Sequence, residues 1–171
     1  MSTMIEESMK QLRVGLGAVA GLALLLCGSG SSAQTLPKPE VIGSSWVYST
    51  EGLYHNVRED LKNAIADEGL VISYTAHLAS MLRRTADATG AVEQVYDNAQ
   101  SFLFCKADLT YELTVRNPHN VTLCPYSISI YTLTEEPETV YLSIRSPELE
   151  QPDYAAVHQL LEQIIAATLN W

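Results

Sequence analysis

Tyr126-Ser127-Ile128-Ser129-Ile130-Tyr131 is the clearest sign of secondary structure in the chain. Its apolar and polar side chains alternate with the period of two that is typical of a half-buried β-strand. A second alternating run, Val140 to Arg145, follows after a short acidic loop at 134–138. The two runs are close enough to pair as an antiparallel hairpin. Each has one apolar and one more polar face, so we expect one face of the sheet to carry the core.

Away from this hairpin, the rest of the sequence alternates between predicted strands and predicted helices. Apolar or β-branched runs predict strands, and apolar residues at helical spacing predict helices. The predicted strands are 46–50, 70–76 and 100–105, and the predicted helices are 55–68, 77–89, 92–98 (short), 108–116 and 153–169. Because the last two strands form a hairpin, the sheet is not all parallel. We therefore expect an α+β, two-layer fold, with a mainly antiparallel sheet of about four to five strands and helices packed on one face.

The first 33 residues have the order of a secretory signal peptide. Lys10 and Arg13 precede an apolar run of 13 residues from Val14 to Leu26, and small residues follow. This run is shorter than the ~20 residues of a membrane-spanning helix. We predict cleavage after Ala33, which makes Gln34 the first residue of a periplasmic protein.

Cys27 offers an alternative end to this signal. A lipoprotein peptidase would cleave before this cysteine and leave the domain anchored to a lipid, although such enzymes prefer a smaller residue than Leu26. An uncleaved membrane anchor is a third interpretation. With cleavage after Ala33, residues 34–45 form an extended leader and residues 46–171 a single domain, with no stable membrane insertion.

The chain after Ala33 is strongly acidic. It retains 8 Lys and Arg against 18 Asp and Glu, a formal net charge of −10. Such a field does not attract nucleic acid or anionic lipid. It favours a basic partner, or it only keeps an exported protein soluble.

Cys105 and Cys124 are the two cysteines that remain after cleavage. An even number of cysteines in an oxidising compartment indicates a disulfide bond first. A metal or haem ligand pair and a redox-active couple are the alternatives. The chain contains no Cys-x-x-Cys motif, so the usual thioredoxin and covalent haem signatures are absent.

Four residues are candidates for ligand binding. His77 lies where a predicted strand gives way to a helix, where a histidine can hold a metal, haem iron or an anion. His119 lies in an Asn-Pro-His-Asn turn, and Tyr74 and Tyr126 lie on predicted strands, where tyrosines can form a ligand cleft or a dimer face. A surface or capping histidine and the rim of the core are the competing interpretations. His77 is a weak candidate for a metal site, and no histidine pair has metal-ligand spacing.

The stretch from Gly69 to Ile144 resembles the domain of unknown function 302 family. The resemblance rests on the helix-Gly-strand unit Leu61–Tyr74, on His77, on Phe102-Leu103-Phe104-Cys105 and on Cys124-Pro125 with the strand after it. It implies a compact α+β domain. Many members lack a cysteine pair, and exported members with one are most similar to this chain. The family brings no established activity, so it supplies no catalytic residue.

No catalytic motif accompanies these residues. The chain has no Gly-x-Ser-x-Gly elbow, Walker loop or dinucleotide-binding fingerprint. We expect a non-catalytic binding or accessory protein of the bacterial periplasm, without a cofactor, that pairs with a second copy or with another periplasmic protein. The alternative is a redox or electron-transfer accessory that uses Cys105 and Cys124, or a metal or haem near His77.

Overall fold

A computed structural model describes residues 38–146 and 152–170. The predicted signal peptide, its cleavage site between Ala33 and Gln34, and Cys27 all lie outside the described residues. The elements, in chain order, are β1 (Glu40–Ile42), β2 (Ser45–Glu51), α1 (Tyr54–Asp67), β3 (Ile72–Ala76), α2 (Leu78–Thr89), β4 (Tyr96–Phe104), α3 (Ala107–Arg116), a 3-10 helix (Pro118–Leu123), β5 (Tyr126–Leu133), β6 (Glu136–Arg145) and α4 (Pro152–Leu169).

The strands of the described residues form one open sheet in the order β1-β2-β6-β5-β4-β3. Each neighbouring pair is antiparallel. The predicted α+β class, with an antiparallel sheet and helices, is confirmed. The predicted number of four to five strands is wrong, because the sheet has six. The additional strand, β1, lies within the segment 34–45, where three residues are too few to show a period of two.

Residues 92–98 are a second correction. We predicted a short helix there, but the chain is irregular up to Val95 and β4 begins at Tyr96. Tyr96 pairs with Leu133 of β5, and Asn98 pairs with Thr132. These hydrogen bonds to a distant strand override the local helical pattern.

The core lies on one face of the sheet. Alternate residues of β5 and β6 are buried there, and the apolar faces of α1 and α4 pack over them. Leu61 of α1 and Ile164 of α4 are among the side chains with no exposed surface. Burying one such side chain stabilises the fold by about 1.5–3 kcal/mol. Helix α3 adds Leu113 to the same core, so helices and sheet form two layers.

Helix α2 lies beside the first half of β4. Strand β3 pairs with β4 only from Ser101 to Phe104, so the earlier residues of β4 have no strand on that side. There the Nη1 of Arg83 donates to the carbonyl oxygen of Asp97 at 3.4 Å. The first half of β4 therefore runs between α2 and β5. Its residues line two hollows.

The cysteines join two adjacent strands. The sulfurs of Cys105 and Cys124 are at bonding distance, with their Cα atoms 5.8 Å apart, so the predicted pairing is confirmed. Cys105 directly follows Phe104 at the end of β4, and Cys124 lies two residues before Tyr126 at the start of β5; Phe104 and Tyr126 are paired. Within the described part of the chain, no helix is both long and apolar enough to cross a membrane.

Candidate ligand-binding face of the sheet

The face of the sheet opposite α1 and α4 is lined by small polar and aromatic side chains. Ser143 of β6 pairs with Ser129 of β5, which pairs in turn with Ser101 of β4. The hydroxyls of Ser101 and Ser129 are hydrogen-bonded to each other. The side chains alternate along each strand, so these serines point away from the core. They form a floor of hydroxyl groups across three strands.

Three tyrosines run beside this floor. The rings of Tyr131 and Tyr141 stack at a centroid distance of 5.2 Å with an angle of 15° between their planes. Tyr96 meets Tyr131 edge to face at 5.5 Å and 78°. Both distances lie in the range in which aromatic pairs attract each other. We call Tyr96, Tyr131 and Tyr141 the tyrosine row.

A hollow of about 260 Å³ lies against this face, lined by Tyr96 and Tyr131 of the tyrosine row and by Ser129 and Ser143 of the serine floor. Ile42 of β1 and Leu78 of α2 form part of its wall, and Val47 of β2 contributes apolar surface. Among the described residues, none of the side chains that line it is charged. The hollow combines aromatic and aliphatic surface with several hydroxyl groups.

Two tyrosines of the row, Tyr131 and Tyr141, have raised pKa values. Burial is the main cause for Tyr131, and the neighbouring Tyr96 adds to it, while a hydrogen bond to Ser143 acts in the opposite direction on the pKa. The pKa of Tyr141 rises to about 12, chiefly because its hydroxyl donates to the carboxylate of Glu136. The hydroxyls of Tyr131 and Tyr141 therefore keep their protons at physiological pH.

Tyr74 and Tyr126, two of the predicted binding residues, lie on opposite faces of the sheet. Tyr74 of β3 is 64% exposed and pairs with Leu103 on the uncovered face. Tyr126 is buried in the core, and its hydroxyl lies 3.0 Å from the Oγ1 of Thr110. The two tyrosines do not line one cleft.

The two histidines predicted as ligands occupy separate elements. His77 is exposed immediately before α2, with its Nδ1 3.0 Å from the Nε2 of Gln100. His119 is exposed in the 3-10 helix, where its backbone N–H donates to the Oδ1 of Asn117. No three His, Cys, Asp or Glu side chains of residues 38–146 and 152–170 come together as metal ligands.

Sequence reasoning placed Tyr131 and Tyr141 on predicted strands, where tyrosines can form a ligand cleft. It put Ser129 and Ser143 on the same, more polar face of the hairpin, but gave no reason to connect the serines with the tyrosines. Tyr96 fell in the segment that we predicted to be a short helix. The sheet register that brings these residues together is visible only in the structure.

Comparison with known proteins supports the fold. No protein-family model matches the sequence. No curated protein matches it either. Among solved structures, the two-layer α+β fold is shared with an uncharacterised conserved protein of the domain of unknown function 302 group (DUF302) from Bacillus stearothermophilus. The TM-score is 0.55 at 14% sequence identity, over 75% of this chain and 98% of the other. This chain therefore has the fold of a DUF302 protein, as the resemblance in its sequence implied.

Proposed function

We propose that this chain is an exported, non-catalytic binding protein of the bacterial periplasm. Its ligand is a small neutral molecule with a flat ring, which lies against the tyrosine row. The observation that carries the proposal is the hollow of about 260 Å³ lined by Tyr96, Tyr131, Ser129 and Ser143, with Tyr141 stacked on Tyr131.

The chemistry of the lining supports a neutral ring. Small-molecule sites combine apolar and aromatic walls with a few polar groups that fix orientation. Tyr131 offers the face of a ring, and Ser129 and Ser143 offer hydroxyls at its side. A charged ligand would find no opposite charge among the described side chains that line the hollow.

A binding role accounts for the serines better than catalysis does. A serine nucleophile needs a neighbouring base to remove its proton. Within the described residues, the hollow is lined by no His, Lys, Asp or Glu side chain. Ser129 is instead hydrogen-bonded to Ser101, another hydroxyl.

Tyr131→Leu tests the ligand site. A library of small ring compounds is screened against the mature protein by NMR, and we expect hits to shift amide signals of β5 and β6. Tyr131→Leu should weaken those hits on the order of 10-fold, since losing one aromatic contact and its buried area removes about 1–2 kcal/mol. Tyr111→Leu is the matched control, because Tyr111 is 70% exposed on α3. If both substitutions weaken binding equally, or if no ring compound binds, the tyrosine row is not the site.

Export is the second part of the proposal. The charged, apolar and small-residue order of residues 10–33 supports it. Mass spectrometry of the protein purified from the periplasm should give an N-terminus at Gln34. A diacylglycerol-modified N-terminus at Cys27 would support the lipid-anchored alternative instead.

The alternative function, a redox or electron-transfer accessory, is supported by the residues around the disulfide. Cys105 lines a shallow hollow of about 540 Å³ together with the neighbouring Lys106 and with Ser73. A nearby lysine favours the thiolate that attacks a disulfide. Thiol titration under native and reducing conditions, with a visible spectrum, tests this function. A disulfide that resists mild reductants in a colourless protein would exclude it.

The uncovered face also supports pairing with a second copy or with another periplasmic protein. Tyr74 and Leu103 extend the apolar surface of this face toward the edge strand β3. Light scattering should give about twice the monomer mass if the protein is a homodimer. A mass that stays at one copy across concentrations would rule out self-association.

A further inference from the structure

A second hollow, of about 150 Å³, lies between the start of α1, the start of α2 and the first half of β4. Tyr54 and Arg58 reach it from α1, Arg83 from α2, and Asn98 and Gln100 from β4. Asn98 and Gln100 pair with Thr132 and Ile130 of the core face, whereas the tyrosine row lies on the other face. The two hollows therefore lie largely on opposite faces of the sheet and adjoin at β4, where Ala99 and Gln100 line both of them.

This hollow gathers positive charge in an acidic protein. Arg58 and Arg83 are two of only eight Lys and Arg residues that follow Ala33, in a chain of formal net charge −10. Arg58 shares its charge with Glu59, to which its Nη2 donates at 2.6 Å. Asp97 is the carboxylate that lines the hollow, and its Oδ1 accepts from the Nε2 of Gln94 at 3.4 Å. Two guanidinium groups and one carboxylate therefore line the hollow, and Arg58 is also paired with Glu59.

The hydroxyl of Tyr54 gives an independent indication of a ligand. It is buried, and within the described residues it has no hydrogen-bond partner. Burial raises the pKa of Tyr54 to about 12, against a smaller opposing effect of Arg58, so the hydroxyl keeps its proton at neutral pH. Buried hydroxyls are nearly always hydrogen-bonded in folded proteins. Tyr54 and both arginines line the same hollow, so this hydroxyl is a donor there without a partner among the described residues.

His77 adds a further donor at the mouth of the hollow. Its Nδ1 lies 3.0 Å from the Nε2 of Gln100, an amide nitrogen that can only donate. A neutral imidazole that accepts at Nδ1 carries its proton on Nε2. The ring therefore presents an N–H even without a positive charge.

We propose that this hollow binds a small oxyanion, either a phosphate group or a carboxylate group. Arg58, Arg83, Tyr54 and His77 supply donors on several sides, and guanidinium groups match the oxygens of both groups geometrically. A volume of about 150 Å³ holds the anionic group itself and leaves the rest of a larger ligand outside.

Arg83→Gln and Arg84→Gln make a matched pair for testing the oxyanion site. The two arginines are neighbours on α2 with the same charge, but Arg84 does not line the hollow and its Nε donates to the carbonyl oxygen of Ser80. Inorganic phosphate and acetate are titrated separately at low ionic strength, with NMR amide shifts as the readout. We expect saturable shifts at His77 and Asn98. Arg83→Gln should weaken binding on the order of 10-fold, as expected for one lost hydrogen bond to a charged group, and Arg84→Gln by less than about twofold.

Tyr54→Phe keeps the proposal testable if Arg83→Gln unfolds the protein. This substitution removes only the unpartnered hydroxyl, so we expect weaker anion binding without a lower melting temperature. Tighter binding of phosphate than acetate identifies a phosphate group, and the reverse order identifies a carboxylate. No saturable binding of either anion, or equal weakening by Arg83→Gln and Arg84→Gln, would overturn the proposal. Ring compounds should still bind Arg83→Gln, so this outcome is separable from that of the proposed function.

Discussion

At the scale of single residues, three polar side chains between the helices and the sheet, Tyr48, His158 and Glu162, form one connected network. The hydroxyl of Tyr48 donates to the Oε1 of Glu162 at 3.3 Å, and the Nδ1 of His158 lies 3.3 Å from the other carboxylate oxygen. If Nδ1–H donates to Glu162, the buried Nε2 is an unprotonated acceptor, and no N–H donor is left unpaired. The ring of Trp46 meets this imidazole edge to face at 4.4 Å. Glu162 is therefore the central member of the network.

Removing the Glu162 carboxylate should destabilise the protein. Glu162→Ala leaves Tyr48 and His158 without the acceptor that they share. Leaving a buried polar group unsatisfied lowers the free energy of unfolding by about 1–3 kcal/mol. Urea denaturation of Glu162→Ala measures it, with Glu112→Ala on the exposed surface of α3 as the control. Equal stability of the two variants would show that the network contributes nothing.

Tyr54 predicts a dependence of stability on alkaline pH. Its folded pKa of about 12 lies above the ordinary value of 10.0, because burial disfavours the tyrosinate. The folded state therefore holds this proton more tightly than the unfolded state does. The stabilisation is complete below pH 10, and it is lost as the pH rises toward 12.

Denaturation at several pH values tests this contribution. The free energy of unfolding should fall less steeply with rising pH in Tyr54→Phe than in the natural sequence. Some fall remains in the variant, since burial also raises the pKa of Tyr126 and Tyr154. Tyr111→Phe, which changes an exposed ring, should keep the full slope. Parallel curves for the natural protein and Tyr54→Phe would contradict the assignment.

At the scale of elements, β4 holds the parts of the molecule together. It pairs with β5 over most of its length and with β3 at its end, and α2 flanks its beginning. Its residues line both hollows, and Ala99 and Gln100 are common to the two. Cys105 fixes its far end to Cys124, two residues before the start of β5.

The disulfide should contribute to the stability of this region. Cys105 and Cys124 are 19 residues apart in sequence, and cross-linking a loop of this size is worth ~3 kcal/mol in the chain-entropy model. We expect the Cys105→Ala/Cys124→Ala double variant to lose about this free energy of unfolding. The natural protein, measured with and without a reductant, should show the same difference. A loss below about 1 kcal/mol would mean that the packing of β4 on β5 already holds the two ends together.

At the scale of the whole molecule, the central strands of the sheet are buried and the edge strand β1 is exposed. Strands β6, β5 and β4 carry the core residues, whereas all three residues of the edge strand β1 are exposed. Val41 and Ile42 of β1 are 62% and 54% exposed. The backbone of β1 is therefore hydrogen-bonded to one neighbouring strand, β2, and its exposed side chains add little packing.

Hydrogen exchange should reveal this gradient of stability. Amides of β5 and β6 should exchange only on global unfolding, whereas those of β1 should exchange through local opening. Exchange followed by NMR measures the opening free energy of each strand. Protection of β1 equal to that of β5 would show that β1 is covered by something beyond the described residues, such as a second copy.

The sequence by itself determined the class of the fold and most of its elements. Alternation in 126–131 and 140–145 gave the central hairpin, and the resemblance to the DUF302 family, which the fold comparison bears out, implied the same two-layer domain. These features follow from local periodicity, because the side chains of a strand or helix repeat with its own geometry. The cysteine pair followed from the even count after Ala33.

Only the tertiary structure decided β1, the true nature of residues 92–98, and both candidate sites. Tyr96, Tyr131 and Tyr141 lie on three strands and meet because of strand register, while Arg58 of α1 and Arg83 of α2 line one hollow because both helices pack near β4. A local pattern places a side chain on a face, but it does not state which distant residue shares that face. The physical reason is that register and helix packing depend on contacts between residues far apart in sequence.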